Sequence, residues 1–142
     1  MYLLDTNVIS ELRKSKSSNF NKNVKTWAES VSPSILFLSV ITILELEMGV
    51  LLSERRDPLQ ATVLRSWLNV HVIPVFSERI LPVDVAVAQR CAKLHIPNPQ
   101  SERDAIIAAT ALVHGMIVVT RNVSDFNKTG AEILNPWDYH TS

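Results

Sequence analysis

Four of the fourteen acidic residues lie against apolar runs rather than in polar surroundings. Asp5 ends Tyr2-Leu3-Leu4, and Asp125 follows Ile117-Val118-Val119 after a short polar stretch. Glu45 lies among Ile41, Leu44 and Met48, and Asp104 opens Ala105-Ile106-Ile107-Ala108-Ala109. An unpaired carboxylate in apolar surroundings is too costly to keep. Two of them about 5 Å apart repel by roughly 3 kcal/mol at an effective dielectric near 20. If the four converge, a cation must come between them. An all-oxygen donor set suits a hard divalent ion, Mg²⁺ or Mn²⁺, and such ions characteristically meet phosphate. His71, His95, His114 and His140 show no paired spacing, which argues against zinc or iron.

Each acid also has a simpler reading. Thr42 with Glu45, and Ser101 with Asp104, match the capping-box spacing, in which the acid only satisfies backbone donors. Asp5 suits the N-cap of a helix beginning at Thr6 or Asn7, and Asp125 suits an ordinary turn. These readings leave unexplained why all four acids fall where strands end and helices begin. No lysine is placed to neutralise them, and Arg103 and Arg121 are expected to point away.

Hydrophobic periodicity places the acids on a frame. The opening apolar run reads as a buried strand feeding a short helix, followed by a basic connector from Arg13 to Asn19. A helix with Val24, Trp27 and Ala28 inward comes next, then a strand at Ile35–Leu38. Ser39 caps a helix over about Val40–Arg55 that is apolar nearly all round and is expected in the middle of the domain. Its stripe of Ile41, Leu44, Met48 and Leu52, with Glu45, is expected to face the core. Pro58 opens a helix to about Val70. Of the apolar pieces Val72–Val75 and Arg79–Val83, one is expected to be a third strand. Asp84 caps a helix to about Leu94, and Ser101 starts another that stops at Gly115. Met116–Thr120 is the clearest strand, Arg121–Phe126 a turn, and Glu132–Pro136 an edge strand. Strands alternating with helices imply a three-layer α/β/α domain around a mostly parallel sheet of about four or five strands. Asp5 then sits at the carboxyl edge, where such sheets bind ligands.

Composition narrows the function classes. With 46% apolar and 20% charged residues, the chain is globular, and 142 residues suffice for one domain with its own core. The formal net charge is zero, so any polynucleotide contact must come from a local patch or from metal. Lys14, Lys16, Lys22 and Lys25 could steer RNA phosphates, although a solvated loop and helix face is the favoured reading of them. Cys91 stands alone, which fits a reducing cytoplasm, and reads as a packed thiol because no histidine has an informative spacing. A secretory signal is not expected. The apolar stretch Ile35–Leu52 carries Glu45 and Glu47, each costing roughly 2.5–3.5 kcal/mol at mid-membrane, so no membrane span is expected.

Four segments, taken together, resemble the PIN-domain ribonucleases, with closest similarity to the VapC and FitB toxins of bacterial toxin–antitoxin pairs. They are Leu3–Asn7, Ser39–Gly49, Arg103–Ala111 and Thr120–Phe126, and the match runs in order along nearly the whole chain. The resemblance implies a PIN-like fold over 1–142 and a metal site built from Asp5, Glu45, Asp104 and Asp125. Thr6, Asn7, Thr120 and Asn122 fall where the family carries supporting polar or phosphate-contacting residues. Of Glu45 and Glu47, only Glu45 fits the family's Glu-Leu-x-x-Gly spacing. The activity implied is Mg²⁺- or Mn²⁺-dependent hydrolysis of RNA phosphodiester bonds. The partners implied are RNA, an antitoxin and a second copy of the chain, possible components of a larger toxin–antitoxin assembly. Two alternatives stay open: a phosphatase with an aspartyl nucleophile, against which Asn7 counts, and a non-catalytic binding module whose acids are only caps.

Overall fold

The computed structural model describes residues 1–141. Five short strands form the sheet: β1 (Tyr2–Leu4), β2 (Leu36–Ser39), β3 (Ile80–Leu81), β4 (Ile117–Val119) and β5 (Ile133–Leu134). They pair in the order β3-β2-β1-β4-β5, all parallel. Side chains alternate across a pleated strand, so adjacent residues serve opposite layers. Leu4, Leu36, Leu38 and Val119 enter one buried cluster, whereas Leu3, Phe37 and Val118 enter the other. Both faces are covered, which is why the strands read as unbroken apolar runs.

The first layer holds α1 (Thr6–Leu12), α2 (Lys22–Ser30), α3 (Val40–Arg56) and α4 (Pro58–Ser66). Val8, Trp27, Leu46 and Val50 from these helices close over the sheet with Leu68 and Val72. After α4 the chain stays helical through a wide turn at Trp67–Val72 and one last turn, α5 (Ile73–Val75). Within that wide turn Ile73 N–H bonds to Leu68 O, one residue further back than in an α-helix. Pro74 has no N–H to give, so the regular ladder could not have continued there. Residues 72–75 are therefore helical, and the third strand comes from Ile80 and Leu81.

The opposite layer holds α6 (Val85–Leu94), α7 (Glu102–His114) and the single turn α8 (Val123–Phe126). The stretch expected as a plain turn thus contains helix, anchored by fully buried Phe126. Asp84 Oδ1 accepts the Val87 N–H, capping α6, and Gly115 ends α7 in the left-handed conformation at φ 65°. Cys91 packs with Val87, Ala105 and Ala109, as a small hydrophobe does. Contrary to expectation it has a histidine neighbour: His95 Nε2 lies 3.8 Å from its Sγ, one helical turn on. Burial pushes the thiol up, so it stays protonated.

The orientation of α3 departs most from expectation. Thr42, Leu46 and Val50 face the core, while Leu44, Met48 and Leu52 are 42–51% exposed and only Ile41 of that stripe packs inward. A helix apolar on every side carries no periodic signal to choose its buried face. Packing against the sheet and α4 makes the choice. Among the described residues no helix is long and apolar enough to cross a membrane.

Candidate active site

Strand register builds the site. Leu4 pairs with Val119, so the next residues, Asp5 and Thr120, emerge side by side at the carboxyl edge. Asp5 N–H bonds to Val119 O at 2.9 Å, and Thr120 Oγ1 donates to Asp5 Oδ2 at 2.8 Å. Asn7 Nδ2 donates to the same oxygen at 3.2 Å, and Thr6 N–H donates to Oδ1 at 2.8 Å. Asp5 is therefore both the cap of α1 and a held carboxylate. Three of its roughly four acceptor directions are filled, leaving one for a further partner. The support extends outward: Arg121 N–H donates to Asn7 Oδ1, and Asn122 N–H donates to Thr120 Oγ1, each at 3.0 Å. Asn122 thus contributes through its backbone.

Glu45 joins from α3. Because Ser39 caps that helix, accepting from Ile41 N–H, Thr42 and Glu45 lie inside it and form no capping box. Glu45 Oε1 instead accepts from Thr6 Oγ1 at 2.6 Å. Glu47 turns away, held by both guanidinium nitrogens of Arg65, at 2.7 Å from Nη1. Arg103 departs from expectation: its Nε lies 3.8 Å from Glu45 Oε2, and its Nη1 touches Met48 Sδ. Arg121 does point away, over the Trp137 ring at 5.2 Å.

Asp104 lies in the first turn of α7, where Ser101 makes no side-chain cap. Burial raises its pKa first, and the charges of Asp5, Asp125 and Glu45 raise it further. All four acids thus share one electrostatic neighbourhood. Asp5, 4% exposed, is also pushed up by burial and Glu45, against the pull of its Thr120, Thr6 and Asn7 donors. Asp125 stands at the exposed rim, on α8. Among the described residues no three acid, cysteine or histidine groups close into a ready-made cage. The carboxylates form an open cluster, as like charges do when they repel. The donors are all oxygen, and Arg103, half exposed, pairs with Glu45 and with no other of the four acids. Such a set fits a hard divalent ion.

Sequence reasoning missed two features here. Arg103 reaches Glu45 across helices, which no local pattern encodes. Arg13, on the connector after α1, lies over Trp67 at 5.9 Å from the ring centroid, again a pairing without local signal.

Residues 2–132 match the PIN domain family, and the chain belongs to it. It is 37% identical to Toxin FitB of Neisseria gonorrhoeae, covering 96% of this chain and 99% of that protein. It is 36% identical to VapC ribonuclease Y4jK of Sinorhizobium fredii, covering 97% and 99%. The crystal structure of FitAcB from Neisseria gonorrhoeae superposes with a TM-score of 0.86 at 35% identity, covering 97% of this chain and 99% of that one.

Proposed function

We infer that this chain is a divalent-metal-dependent endoribonuclease and the toxin of a toxin–antitoxin pair, with 1–142 as a single PIN-like domain. The carrying observation is the meeting of the acids at the strand edge: Thr6 Oγ1 ties Glu45 to the turn that begins at Asp5, and burial first, then the charges of Asp5, Asp125 and Glu45, raise the Asp104 carboxyl. Chain-length similarity to a named ribonuclease and a named toxin supports the same reading.

Asp5, Glu45, Asp104 and Asp125 would hold Mg²⁺ or Mn²⁺, which would supply Lewis acidity and neutralise phosphate charge when bound. The chain's own residues prepare the place. Thr120, Asn7 and the Thr6 N–H fix the rotamer of Asp5, and Thr6 Oγ1 fixes Glu45. Ligands held in this way keep their geometry when charge changes around them. Asn122 lies at the exposed rim, where a phosphate can reach it. A polyanion cannot approach four bare carboxylates, so RNA binding at this edge depends on the cation. Asn7, where an aspartyl-nucleophile phosphatase would carry its second acid, instead donates to the first.

The partners of this reading are RNA, a cognate antitoxin and a second copy of the chain, acting in the cytoplasm. Exposed Leu44, Met48, Leu51 and Leu52 on α3 supply an apolar face for protein contact. The test is cleavage of a defined RNA panel with Mg²⁺ or Mn²⁺ by the wild type and Asp5→Asn. Cleavage by the wild type alone is expected; equal cleavage by a nuclease-free Asp5→Asn preparation would overturn the assignment.

A further inference from the structure

Two arginines reach glutamates on α3, and they hold them differently. Arg65 grips Glu47 with both guanidinium nitrogens, at 2.7 Å from Nη1, the geometry of a fixed pair. Arg103, in the first turn of α7, only leans on Glu45. Its Nε stands 3.8 Å from Glu45 Oε2, and its Nη1 donates to Met48 Sδ at 3.3 Å. Glu45 and Met48 lie three positions apart, on one face of α3, and the guanidinium spans that face. A guanidinium carries five N–H donors. Among the described residues, the one hydrogen-bond acceptor they reach here is a thioether, which accepts weakly. Such a contact is easily given up.

We propose that Arg103 is a built-in place-holder for the metal: in the metal-free site its guanidinium covers the Glu45 oxygen that the ion takes, and the ion displaces it. The proposal rests on the divalent-metal part of the reading above and adds a residue outside the acid cluster to it. The two oxygens of Glu45 are already divided. Oε1 accepts from Thr6 Oγ1 at 2.6 Å, so Oε2 is the oxygen no hydroxyl holds, and Arg103 stands beside it. Crowded carboxylates need positive charge nearby. Among the described residues no other basic group pairs with any of the four. One half-exposed guanidinium does not balance them. Asp104, its neighbour in sequence, still has its carboxyl pushed up by burial and by the charges of Asp5, Asp125 and Glu45. A divalent ion brings twice the charge in a smaller radius and reaches several acids at once, so it takes the oxygen from the arginine. Until then Arg103 staples the start of α7, and Asp104 with it, to α3 beside Glu45. Two ligands that repel are thereby kept within reach of one ion. Arg103 is a positioning residue, acting through Glu45 and Asp104.

The test is Mn²⁺ binding by calorimetry, with thermal melts of the full chain in EDTA and in saturating Mn²⁺, and no RNA present. Arg103→Gln is expected to bind Mn²⁺ about three- to fivefold more tightly than wild type, the size a half-exposed ion pair allows. It is expected to melt below wild type in EDTA and level with it in Mn²⁺, because the ion has already removed the contact. Arg103→Lys, which keeps the charge, is expected to recover most of the difference. Arg103→Met keeps the stem and decides the matter should Arg103→Gln fail to fold. Displacement is read directly from the arginine Nε–H resonances of isotope-labelled wild type. The Arg103 signal should move on saturation with Mg²⁺ while that of Arg65 stays. Unchanged Mn²⁺ affinity in both Arg103→Gln and Arg103→Met overturns the place-holder. So does an Arg103 signal that bound Mg²⁺ leaves in place, or an equal loss of melting temperature in EDTA and in Mn²⁺, which would mark an ordinary ion pair. The failures are distinguishable. A wild type that binds neither ion loses the metal reading and the place-holder together. One that binds them with Arg103 unmoved loses the place-holder alone. The expected shifts in a chain that cleaves no RNA keep the place-holder and lose the ribonuclease.

Discussion

Thr6 Oγ1 donates to Glu45 Oε1 at 2.6 Å, joining the first turn of α1 to α3 across 39 positions of sequence. The bond aims a flexible glutamate at the strand edge where Asp5 already stands. Thr6→Val keeps the side chain's bulk and removes the donor. The Mn²⁺ concentration that half-saturates cleavage should rise about 10- to 100-fold, with Thr6→Ser close to wild type. An unchanged metal titration in Thr6→Val would mean that Glu45 needs no such hold.

Thr120 has no exposed surface, and its hydroxyl serves three neighbours at once: it donates to Asp5 and accepts from Asn7 Nδ2 and Asn122 N–H. A hydrogen bond to a charged group contributes about 1.5–3 kcal/mol. Thr120→Val should therefore lower stability by roughly that amount in urea unfolding. The Asp5 carboxyl should rise further, because Thr120 is its leading downward influence. Stability equal to wild type would show that the bond contributes nothing net.

The raised carboxyls of Asp5 and Asp104 make metal-free stability depend on pH. The native state binds these protons more tightly than the unfolded chain, so it gains most below the ordinary value of 3.8. That gain is lost as pH rises through the raised native values. In EDTA, Asp104→Asn should thus melt above wild type at neutral pH, with the difference closing below pH 3.8. Saturating Mn²⁺ should raise the melting temperature of wild type more than that of the variant. Melts across pH with and without the ion check both signs, and a variant less stable than wild type in EDTA at pH 7 contradicts them.

Leu51 is 49% exposed on the outer side of α3, beside equally exposed Leu44, Met48 and Leu52. If this face joins two copies, Leu51→Glu buries a charge at the contact and should convert a dimer to a monomer in sedimentation experiments, with unchanged far-UV circular dichroism. A dimer that survives the change places its interface elsewhere.

Replacing all four acids is unnecessary to weigh their roles, because their surroundings differ. Asp5 is buried and triply held, whereas Asp125 is at the rim. Asp5→Asn should abolish detectable cleavage. Asp125→Asn should leave a residual rate, still at least tenfold below wild type as a rough expectation for one lost carboxylate. Parallel rate measurements order the two, and equal residual rates would contradict the distinction.

Local signals determined the caps and most element types without help. Ser39, Asp84 and Gly115 end or begin helices through bonds and angles confined to a few neighbouring residues. The apolar runs at Tyr2–Leu4 and Ile117–Val119 are strands because both sheet faces are covered. The placement of Asp5 at a strand end could be read for the same reason. Tertiary structure alone decided which side of α3 is buried, since an apolar helix offers every side equally. It also decided that residues 58–75 form one interrupted helical run, whose wide turn places both Leu68 and Val72 in the buried cluster. The support of Asp5 by Thr120 depends on Leu4 pairing with Val119, a register between strands more than a hundred residues apart. Short-range spacing carries no energy for such a pairing; it is set when two buried strands find the one alignment that keeps both layers packed.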